Sequence, residues 1–215
     1  MKLCIFDLDG TLTDTLKSLH YSTNETLRHL GYPPITIEQC RKIVGSGARV
    51  QIERALTVAG DPQLRHIEEA MEIYRRVFSE NCTYCVRPYR GMPETLTAMK
   101  DRGIRLAVCT NKPHAQAVEV TESVFGRETF DRILGQREGV PRKPDPAGVF
   151  EIMKEFSACR EECLFVGDSE VDIETGKAAG VRCAGCCWGF RGRKILEKLN
   201  PGYLIEKPEE LLGIL

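Results

Sequence analysis

The chain has 215 residues, of which 42% are hydrophobic and 28% charged, and its formal net charge is −1. This balance is typical of a globular protein with enough apolar side chains for one large domain or for a core with a smaller companion. Because the basic residues are scattered, we expect neither a nucleic-acid nor a membrane-surface partner. The first apolar run is too short for a signal peptide or a membrane span, so we expect a cytoplasmic protein.

A short apolar run at residues 3–6 is followed by the polar sequence Asp7-Leu-Asp-Gly-Thr-Leu-Thr-Asp14. The run is typical of a buried strand. In open α/β sheets, ligands bind beyond the carboxyl ends of the strands, which is where Asp7 and Asp9 fall. Gly10 permits a tight turn that brings backbone N–H groups close to an anion. The pattern indicates a site that handles phosphate together with a divalent cation, although one such motif alone is also compatible with a simple polar turn.

Residues 15–85 show helical periodicity and contain no convincing strand. Four helices are predicted: residues 16–30, a helix that begins at Thr36, one after the glycine-rich break at residues 45–47, and a charged one over about residues 63–79. An all-helical stretch within an otherwise alternating chain predicts an inserted domain. We therefore expect a helical cap at residues 15–85 and an α/β core formed by residues 1–14 and 86–215.

Strands and helices alternate after Pro88. The predicted strands are 104–109, 132–134, 163–166, 181–186 and 203–205, and the predicted helices are 93–100, 113–125, 146–156, 172–179 and 208–215. This alternation is typical of parallel βαβ units. The predicted fold class is therefore α/β, with a parallel, Rossmann-like sheet flanked by helices.

Four polar clusters fall just after buried strands or the loops that follow them. They are Asp7 with Asp9, Thr110 with Asn111, Lys143 in Lys143-Pro-Asp-Pro146, and Asp168 with Asp172. Each of these residues alone also has a simpler structural interpretation. Lys143 is compatible with a surface lysine, Thr110 with a helix cap and Asp172 with an acid in the first turn of a helix. Because the carboxyl ends of parallel strands share one edge of the sheet, we expect the clusters to converge.

These clusters resemble the four motifs of the haloacid dehalogenase superfamily, in particular its phosphatases with a helical cap of the C1 type inserted after the first motif. The resemblance covers essentially the whole chain and is greatest to phosphatases of 2-phosphoglycolate. The residues that carry it are Asp7-Leu-Asp-Gly-Thr-Leu-Thr-Asp14, Thr110-Asn111, Lys143-Pro-Asp-Pro146 and Gly167-Asp-Ser-Glu-Val-Asp172, with Gly91-Met-Pro, Ala178-Ala-Gly-Val181 and Trp188-Gly-Phe190 at similar places.

The resemblance implies a Mg²⁺-dependent phosphatase acting on a small phosphorylated metabolite. Asp7 would attack phosphorus and form an aspartyl-phosphate, while Asp9 would act as general acid and base. The implied phosphate-binding residues are Leu8, Thr110, Asn111 and Lys143, and the implied metal ligands are Asp7, Asp168 and the main-chain carbonyl of Asp9. Asp172 would orient Lys143 or a metal-bound water.

In this family the turn between cap helices commonly faces the active site. The resemblance therefore implies a substrate-selecting loop at Gly45-Ser46-Gly47-Ala48-Arg49. Arg49 would bind a substrate carboxylate in a bidentate manner, such as that of 2-phosphoglycolate; the alternative is a solvated arginine. Whether the protein is a monomer or a homodimer is left open.

Alternative functions on the same core differ in a few positions. A dehalogenase would not need the second acid, Asp9. In a sugar-phosphate mutase resembling β-phosphoglucomutase the cap-linker histidine would fall at Leu19, and this chain has His20 instead. A phosphonatase would need a cap lysine such as Lys42, and pyrophosphatase or nucleotidase activity stays open. A receiver-like phospho-acceptor domain, which belongs to a different class, would lack the Asp9 acid and the cap.

Ten cysteines are present, including two C-x-x-C pairs, Cys82-Thr-Tyr-Cys85 and Cys183-Ala-Gly-Cys186. A zinc or redox site is conceivable. The pairs are far apart in sequence, however, and the second falls in a strand pattern, where neighbouring side chains point to opposite faces. We therefore predict reduced, structural thiols.

Overall fold

The computed structural model describes residues 1–215. The strands are β1 Leu3–Phe6, β2 Thr13–Asp14, β3 Arg87–Pro88, β4 Arg105–Pro113, β5 Arg132–Gln136, β6 Cys163–Gly167, β7 Arg182–Cys186 and β8 Tyr203–Ile205. The α-helices are α1 Leu16–His29, α2 Ile37–Ile43, α3 Ala48–Ala59, α4 Ile67–Asn81, α5 Met92–Asp101, α6 His114–Phe125, α7 Ala147–Glu155, α8 Glu170–Ala179 and α9 Arg193–Lys198. Short 3₁₀ helices span Arg160–Glu162 and Pro208–Gly213.

Six strands form one sheet in the order β5-β4-β1-β6-β7-β8, and every neighbouring pair is parallel. β1 lies between β4 and β6, with Phe6 opposite Val108 on one side and Val166 on the other. The predicted α/β fold with a parallel, helix-flanked sheet is confirmed. Because β1 is central, the residues that directly follow it lie in the middle of the carboxyl edge, where parallel strands direct their ligands.

The sheet is covered on both faces, which explains why its strands are apolar throughout. Successive side chains of β1 alternate between two apolar clusters, with Cys4 and Phe6 in one and Leu3 and Ile5 in the other. All four are fully buried. At roughly 1.5–3 kcal/mol for each large apolar side chain, this burial anchors the strand that carries the first polar motif.

Helices α1 to α4 occupy the chain between β2 and β3, and these two short strands pair with each other in antiparallel fashion. Thr13 lies opposite Pro88, so the chain leaves and re-enters the α/β part at neighbouring points. The largest apolar cluster contains residues from these helices together with residues of the sheet. This arrangement supports the division into a cap at residues 15–85 and a core, which we retain as a proposal.

The structure differs from the sequence prediction in several elements. The carboxyl-terminal segment Pro208–Gly213 is a 3₁₀ helix rather than an α-helix, and the prediction contained neither α9 nor the two-residue strands β2 and β3. The charged helix begins at Ile67 rather than near residue 63, because the Asp61 carboxylate accepts a hydrogen bond from His66 N and holds a turn there. No helix has both the length and the apolar character needed to cross a bilayer.

All ten cysteines are free. Cys183 and Cys186 are buried on β7, whereas Cys82 is buried and Cys85 is exposed. Burial raises the pKa of the Cys183 thiol to about 11, which keeps it protonated near neutrality. These features agree with structural thiols.

Candidate active site

Three carboxylates and one lysine meet beyond the carboxyl ends of β1 and β6. Asp7 directly follows β1, Asp168 directly follows β6, and Asp172 lies in the first turn of α8. One carboxylate oxygen from each lies within 4.8 Å of the other two. Lys143 Nζ donates to Asp7 Oδ1 at 2.8 Å and to Asp172 Oδ1 at 2.7 Å. The structure therefore brings together members of three of the four predicted clusters.

Asp172 is fixed by the start of its own helix. Its Oδ2 accepts hydrogen bonds from Ser169 N at 3.0 Å and Ser169 Oγ at 2.6 Å, which forms a capping arrangement for α8. Its other oxygen is then free to accept from Lys143. Asp172 can therefore serve both as an acid in the first turn of α8 and as the residue that orients Lys143, so the two interpretations are compatible.

Asp168 is held from two directions. Thr11 Oγ1 donates to its Oδ1 at 3.1 Å, and the backbone N–H of Phe190 donates to its Oδ2 at 2.7 Å. Gly10 makes this close approach possible, since its φ is +93° and a Cβ there would lie 2.5 Å from Asp168 Oδ2. A glycine is required at this turn both for its conformation and for the space.

Burial and mutual repulsion perturb these acids. Burial raises the pKa of Asp7 to about 6, with Asp172 adding to the rise and Lys143 opposing it. Burial, followed by Asp172 and Asp7, raises the pKa of Asp168 well above its ordinary range. Burial alone would lower the pKa of Lys143, but Asp172 and Asp7 outweigh it and raise that pKa. A single charged lysine therefore faces three buried carboxylates.

This surplus of negative charge fits a divalent cation. Clustered carboxylates repel each other unless a positive charge compensates them, and hard cations prefer oxygen ligands. In addition, the main-chain carbonyl of Asp9 accepts no hydrogen bond from the protein. Asp7, Asp168 and the Asp9 carbonyl therefore offer oxygen atoms that would suit such a cation, and the implied ligand set stays a proposal.

Unpaired donors line the same edge. The backbone N–H groups of Leu8 and Asp9 donate to no protein acceptor, although Leu8 is fully buried. The hydroxyl proton of Thr110 also has no acceptor, while its oxygen accepts from Lys112 N at 3.3 Å. Because buried donors are normally satisfied, these groups are suited to bind the oxygens of an anion.

The Asn111 side chain has a positioning role that the sequence did not reveal. It donates to Lys143 O at 3.0 Å and accepts from Lys143 N at 2.9 Å, so it clamps the backbone of that lysine. Its amide nitrogen also lies 3.3 Å from Gly45 O, a contact with the loop between α2 and α3. Asn111 therefore connects Lys143 to the helical segment.

Lys112 is a site residue that the sequence prediction missed. Its Nζ lies 3.0 Å from Asp9 Oδ1 and 3.3 Å from Oδ2, and its side chain is only 1% exposed. It also lies over the Phe78 ring, 4.7 Å from the ring centroid. The sequence feature that could have identified Lys112 is its position directly after Thr110 and Asn111, inside a strand that is otherwise buried.

A cavity of about 40 Å³ lies between this edge and the helices α1, α3 and α4. Its floor contains Asp7 and Asp9, and its walls on the helical side include Leu19, Tyr74 and Phe78. The glycines of the predicted substrate-selecting loop, Gly45 and Gly47, also line it; Ser46 does not.

The structure contradicts the predicted placement of Arg49. Its Nη2 lies 2.6 Å from Glu68 Oε1 and its Nε 3.1 Å from Glu53 Oε1, and it does not line the cavity. Both acids pair with the guanidinium, so it is not available for a substrate carboxylate in this arrangement. Lys42 is exposed, and His20 Nε2 donates a hydrogen bond to Ile35 O at 2.9 Å, so neither residue lines the cavity.

Comparison with known proteins identifies the family of this chain. The family model described as "Haloacid dehalogenase-like hydrolase" matches residues 4–186. A phosphoglycolate phosphatase of Pseudomonas savastanoi pv. phaseolicola is 35% identical over 98% of this chain and 78% of its own length. One from Aquifex aeolicus is 31% identical over 100% of this chain and 97% of its own.

Among solved structures, a predicted phosphoglycolate phosphatase from Haemophilus somnus superimposes with a TM-score of 0.93 at 28% identity, covering 100% of this chain and 97% of that one. Its likeness extends through the helical segment as well as the sheet. Together with the family match and the acidic edge described above, these similarities show that the chain belongs to the haloacid dehalogenase-like hydrolases.

Proposed function

We propose that this protein is a Mg²⁺-dependent phosphatase that hydrolyses a small phosphate monoester through an aspartyl-phosphate on Asp7. The observation that carries the proposal is the buried cluster of Asp7, Asp168 and Asp172 around Lys143, beside unpaired backbone donors. A buried site that combines carboxylates with free hydrogen-bond donors suits an anionic substrate that binds together with a cation.

In the first step, Asp7 attacks phosphorus while the bond between phosphorus and the ester oxygen breaks. Asp9 gives its proton to that oxygen, and the alcohol leaves. Lys143 and the N–H groups of Leu8 and Asp9 stabilise the phosphoryl oxygens. In the second step, water attacks the phosphorus of the aspartyl-phosphate, Asp9 takes the water's proton, and Asp7 is released with inorganic phosphate.

The metal would be held by Asp7, Asp168 and the main-chain carbonyl of Asp9. When bound, Mg²⁺ supplies positive charge that offsets the carboxylates and the phosphoryl group. Asp172 holds Lys143, because its carboxylate accepts from Nζ while Ser169 fixes its orientation.

The substrate that we propose is 2-phosphoglycolate or a close analogue. The named relatives support this choice, as does the small cavity of about 40 Å³ between Asp9 and the helices. A larger apolar recess of about 360 Å³ shares Tyr74 and Phe78 with the cavity, so a bulkier leaving group would have to displace this aromatic wall.

Two alternatives are less well supported by the site. A mutase would need a histidine where Leu19 lines the cavity, and His20 is tied to Ile35 O at 2.9 Å instead. A receiver-like domain would not need a second acid, Asp9, enclosed under a helical cap. The geometry therefore favours repeated hydrolysis over a single phosphorylation event.

The test is phosphate release from p-nitrophenyl phosphate and from a panel of phosphate esters, with Mg²⁺ and with chelator. We expect many turnovers in Mg²⁺, with the highest kcat/KM for 2-phosphoglycolate, and none with chelator. Asp7→Asn should lower kcat by at least about 10³-fold, since it removes the nucleophile. Full activity of Asp7→Asn, or a stoichiometric burst without turnover, would contradict the proposal.

A further inference from the structure

We propose that Lys112 is the specificity-determining residue of this site and binds a carboxylate on the leaving group. This inference rests on the proposed function and deepens it. It names the residue that would recognise the carboxylate of the substrate already proposed, a phosphate monoester of a short 2-hydroxy acid. It also replaces the expectation that Arg49 binds this carboxylate, because Glu53 and Glu68 hold the Arg49 guanidinium outside the cavity.

Lys112 is the only cationic residue that lines the cavity between Asp9 and the helices. Its side chain is almost fully buried, and the other walls near it are uncharged, including Leu19, Tyr74 and Phe78. A buried charge needs compensation, and here the single ion partner is Asp9. A substrate carboxylate that enters this cavity would share the ammonium with Asp9, which is its one ion partner in the protein.

The hydrogen-bond donors of Lys112 are not exhausted. An ammonium has three N–H groups, and the acceptors of Lys112 in the protein are the two oxygens of one carboxylate, Asp9, at 3.0 and 3.3 Å. The Phe78 ring is also close to the ammonium, with its centroid 4.7 Å from Nζ, but it offers no oxygen or nitrogen acceptor. At least one donor therefore remains for an anion inside the cavity.

The distances allow Lys112 to reach a carboxylate that lies close to the ester oxygen. To donate its proton, Asp9 must come within about 2.6–3.2 Å of that oxygen. Lys112 Nζ lies 3.0 Å from Asp9 Oδ1, so the ester oxygen and Nζ are separated by at most about 6 Å. With ordinary bond lengths, a carboxylate one carbon away from the ester oxygen places its own oxygens about 3 Å from it, within reach of Nζ.

The contact of Lys112 with Phe78 links this selection to the cap. Phe78 belongs to α4, whereas Lys112 lies at the carboxyl end of β4 in the core. The ammonium is thus held between the general acid and the wall of the cap. An uncharged leaving group would offer the Lys112 ammonium no additional ion partner.

The experiment compares 2-phosphoglycolate with its neutral analogue 2-phosphoglycolamide. For the unaltered protein we expect kcat/KM to be about 10- to 100-fold higher for the acid, the range expected for a hydrogen bond to a charged group. In Lys112→Met this ratio should fall to near one, while Lys112→Arg should retain part of it. Arg49→Met serves as the control and should keep the full ratio.

Equal losses on both substrates in Lys112→Met would mean that the lysine only holds Asp9, and would overturn the proposal. A wild-type ratio near one would overturn it as well. Binding of both compounds to Asp7→Asn, measured by calorimetry with and without Lys112→Met, tests carboxylate recognition without turnover. If no ester is hydrolysed yet Asp7→Asn prefers the acid through Lys112, the proposed function fails and the carboxylate site stands.

Discussion

At the scale of single residues, the site depends on one lysine placed between two acids. Lys143 is 5% exposed at its side chain and donates to both Asp7 and Asp172. A buried ion pair contributes little net stability relative to an apolar replacement, yet removing one partner is costly. The proposed function explains its placement, since Lys143 would face the phosphoryl group that Asp7 would accept.

We expect Lys143→Met to lower kcat by at least about 10²-fold, because a preorganised charge at the phosphoryl group is lost. It should also lower the free energy of unfolding by about 3–5 kcal/mol in chelator, since buried carboxylates lose their partner. Urea unfolding and phosphate release measure the two effects.

The double variant Lys143→Met with Asp172→Asn serves as the control for this prediction. It should recover part of the stability and none of the activity, because one unpaired charge is removed while the cation is still missing. If the urea-unfolding midpoint of Lys143→Met were unchanged, Asp7 and Asp172 would not both be charged in the folded protein.

At the scale of elements, the turn after β1 and the loop after β7 are built around Asp168. Gly10 admits the carboxylate from one side, and the N–H of Phe190 binds it from the other. The next residue, Arg191, extends to the helical segment and donates to Arg41 O at 2.8 Å and Val44 O at 2.7 Å. A single short loop thus contacts both an acid of the site and the carboxyl end of α2.

Gly10→Ala should be far more damaging than Gly31→Ala. Both glycines have positive φ, +93° and +75°, so each substitution carries a similar backbone cost of roughly 1–2 kcal/mol. Only at Gly10 would the new Cβ meet Asp168 Oδ2, at 2.5 Å, whereas nothing lies within 4 Å at Gly31. Thermal unfolding and Mg²⁺-dependent activity measure the difference, and equal effects would mean that the turn shifts freely away from Asp168.

Arg191→Ala should loosen the loop at residues 44–47. Its guanidinium satisfies carbonyls at the end of α2 and pairs with Glu170 at 2.9 Å, and it is only 11% exposed. We expect faster hydrogen exchange in this loop and a several-fold rise in KM, since Gly45 and Gly47 line the cavity. Arg193→Ala is the control, because Arg193 pairs with Glu206 away from the cavity and should leave both quantities unchanged.

At the scale of the whole molecule, we expect stability to depend on pH and on the proposed cation through the carboxyl edge of the sheet. Since burial raises the pKa of Asp7 to about 6, the folded protein retains a proton that the unfolded chain has already released above about pH 4. This group therefore favours the folded state most at low pH, and its contribution is lost as the pH rises through about 6.

A divalent cation must displace that proton, so the stabilisation by Mg²⁺ should grow with pH. We expect a small rise of Tm with excess Mg²⁺ at about pH 5 and a clearly larger one at about pH 7.5. Asp168→Asn should abolish the difference, because it removes a proposed ligand. A Tm shift that is equal at both pH values would mean that Asp7 does not take part in metal binding.

The sequence by itself determined the α/β sheet, the helical excursion and the convergence of Asp7, Lys143, Asp168 and Asp172. Hydrophobic periodicity specifies the type of each element, and parallel strands direct their carboxyl ends to one edge. These are local patterns combined with one general rule of topology, so no knowledge of particular contacts was needed.

Only the tertiary structure decided which positively charged side chains face the cavity. Lys112 pairs with Asp9 across 103 positions of the chain, and Arg49 turns to Glu68 on the neighbouring helix rather than to the substrate. The contact of Arg191 with the end of α2 joins segments nearly 150 residues apart. A side chain's partner depends on how the elements pack against each other, and spacing along the chain carries no record of that packing.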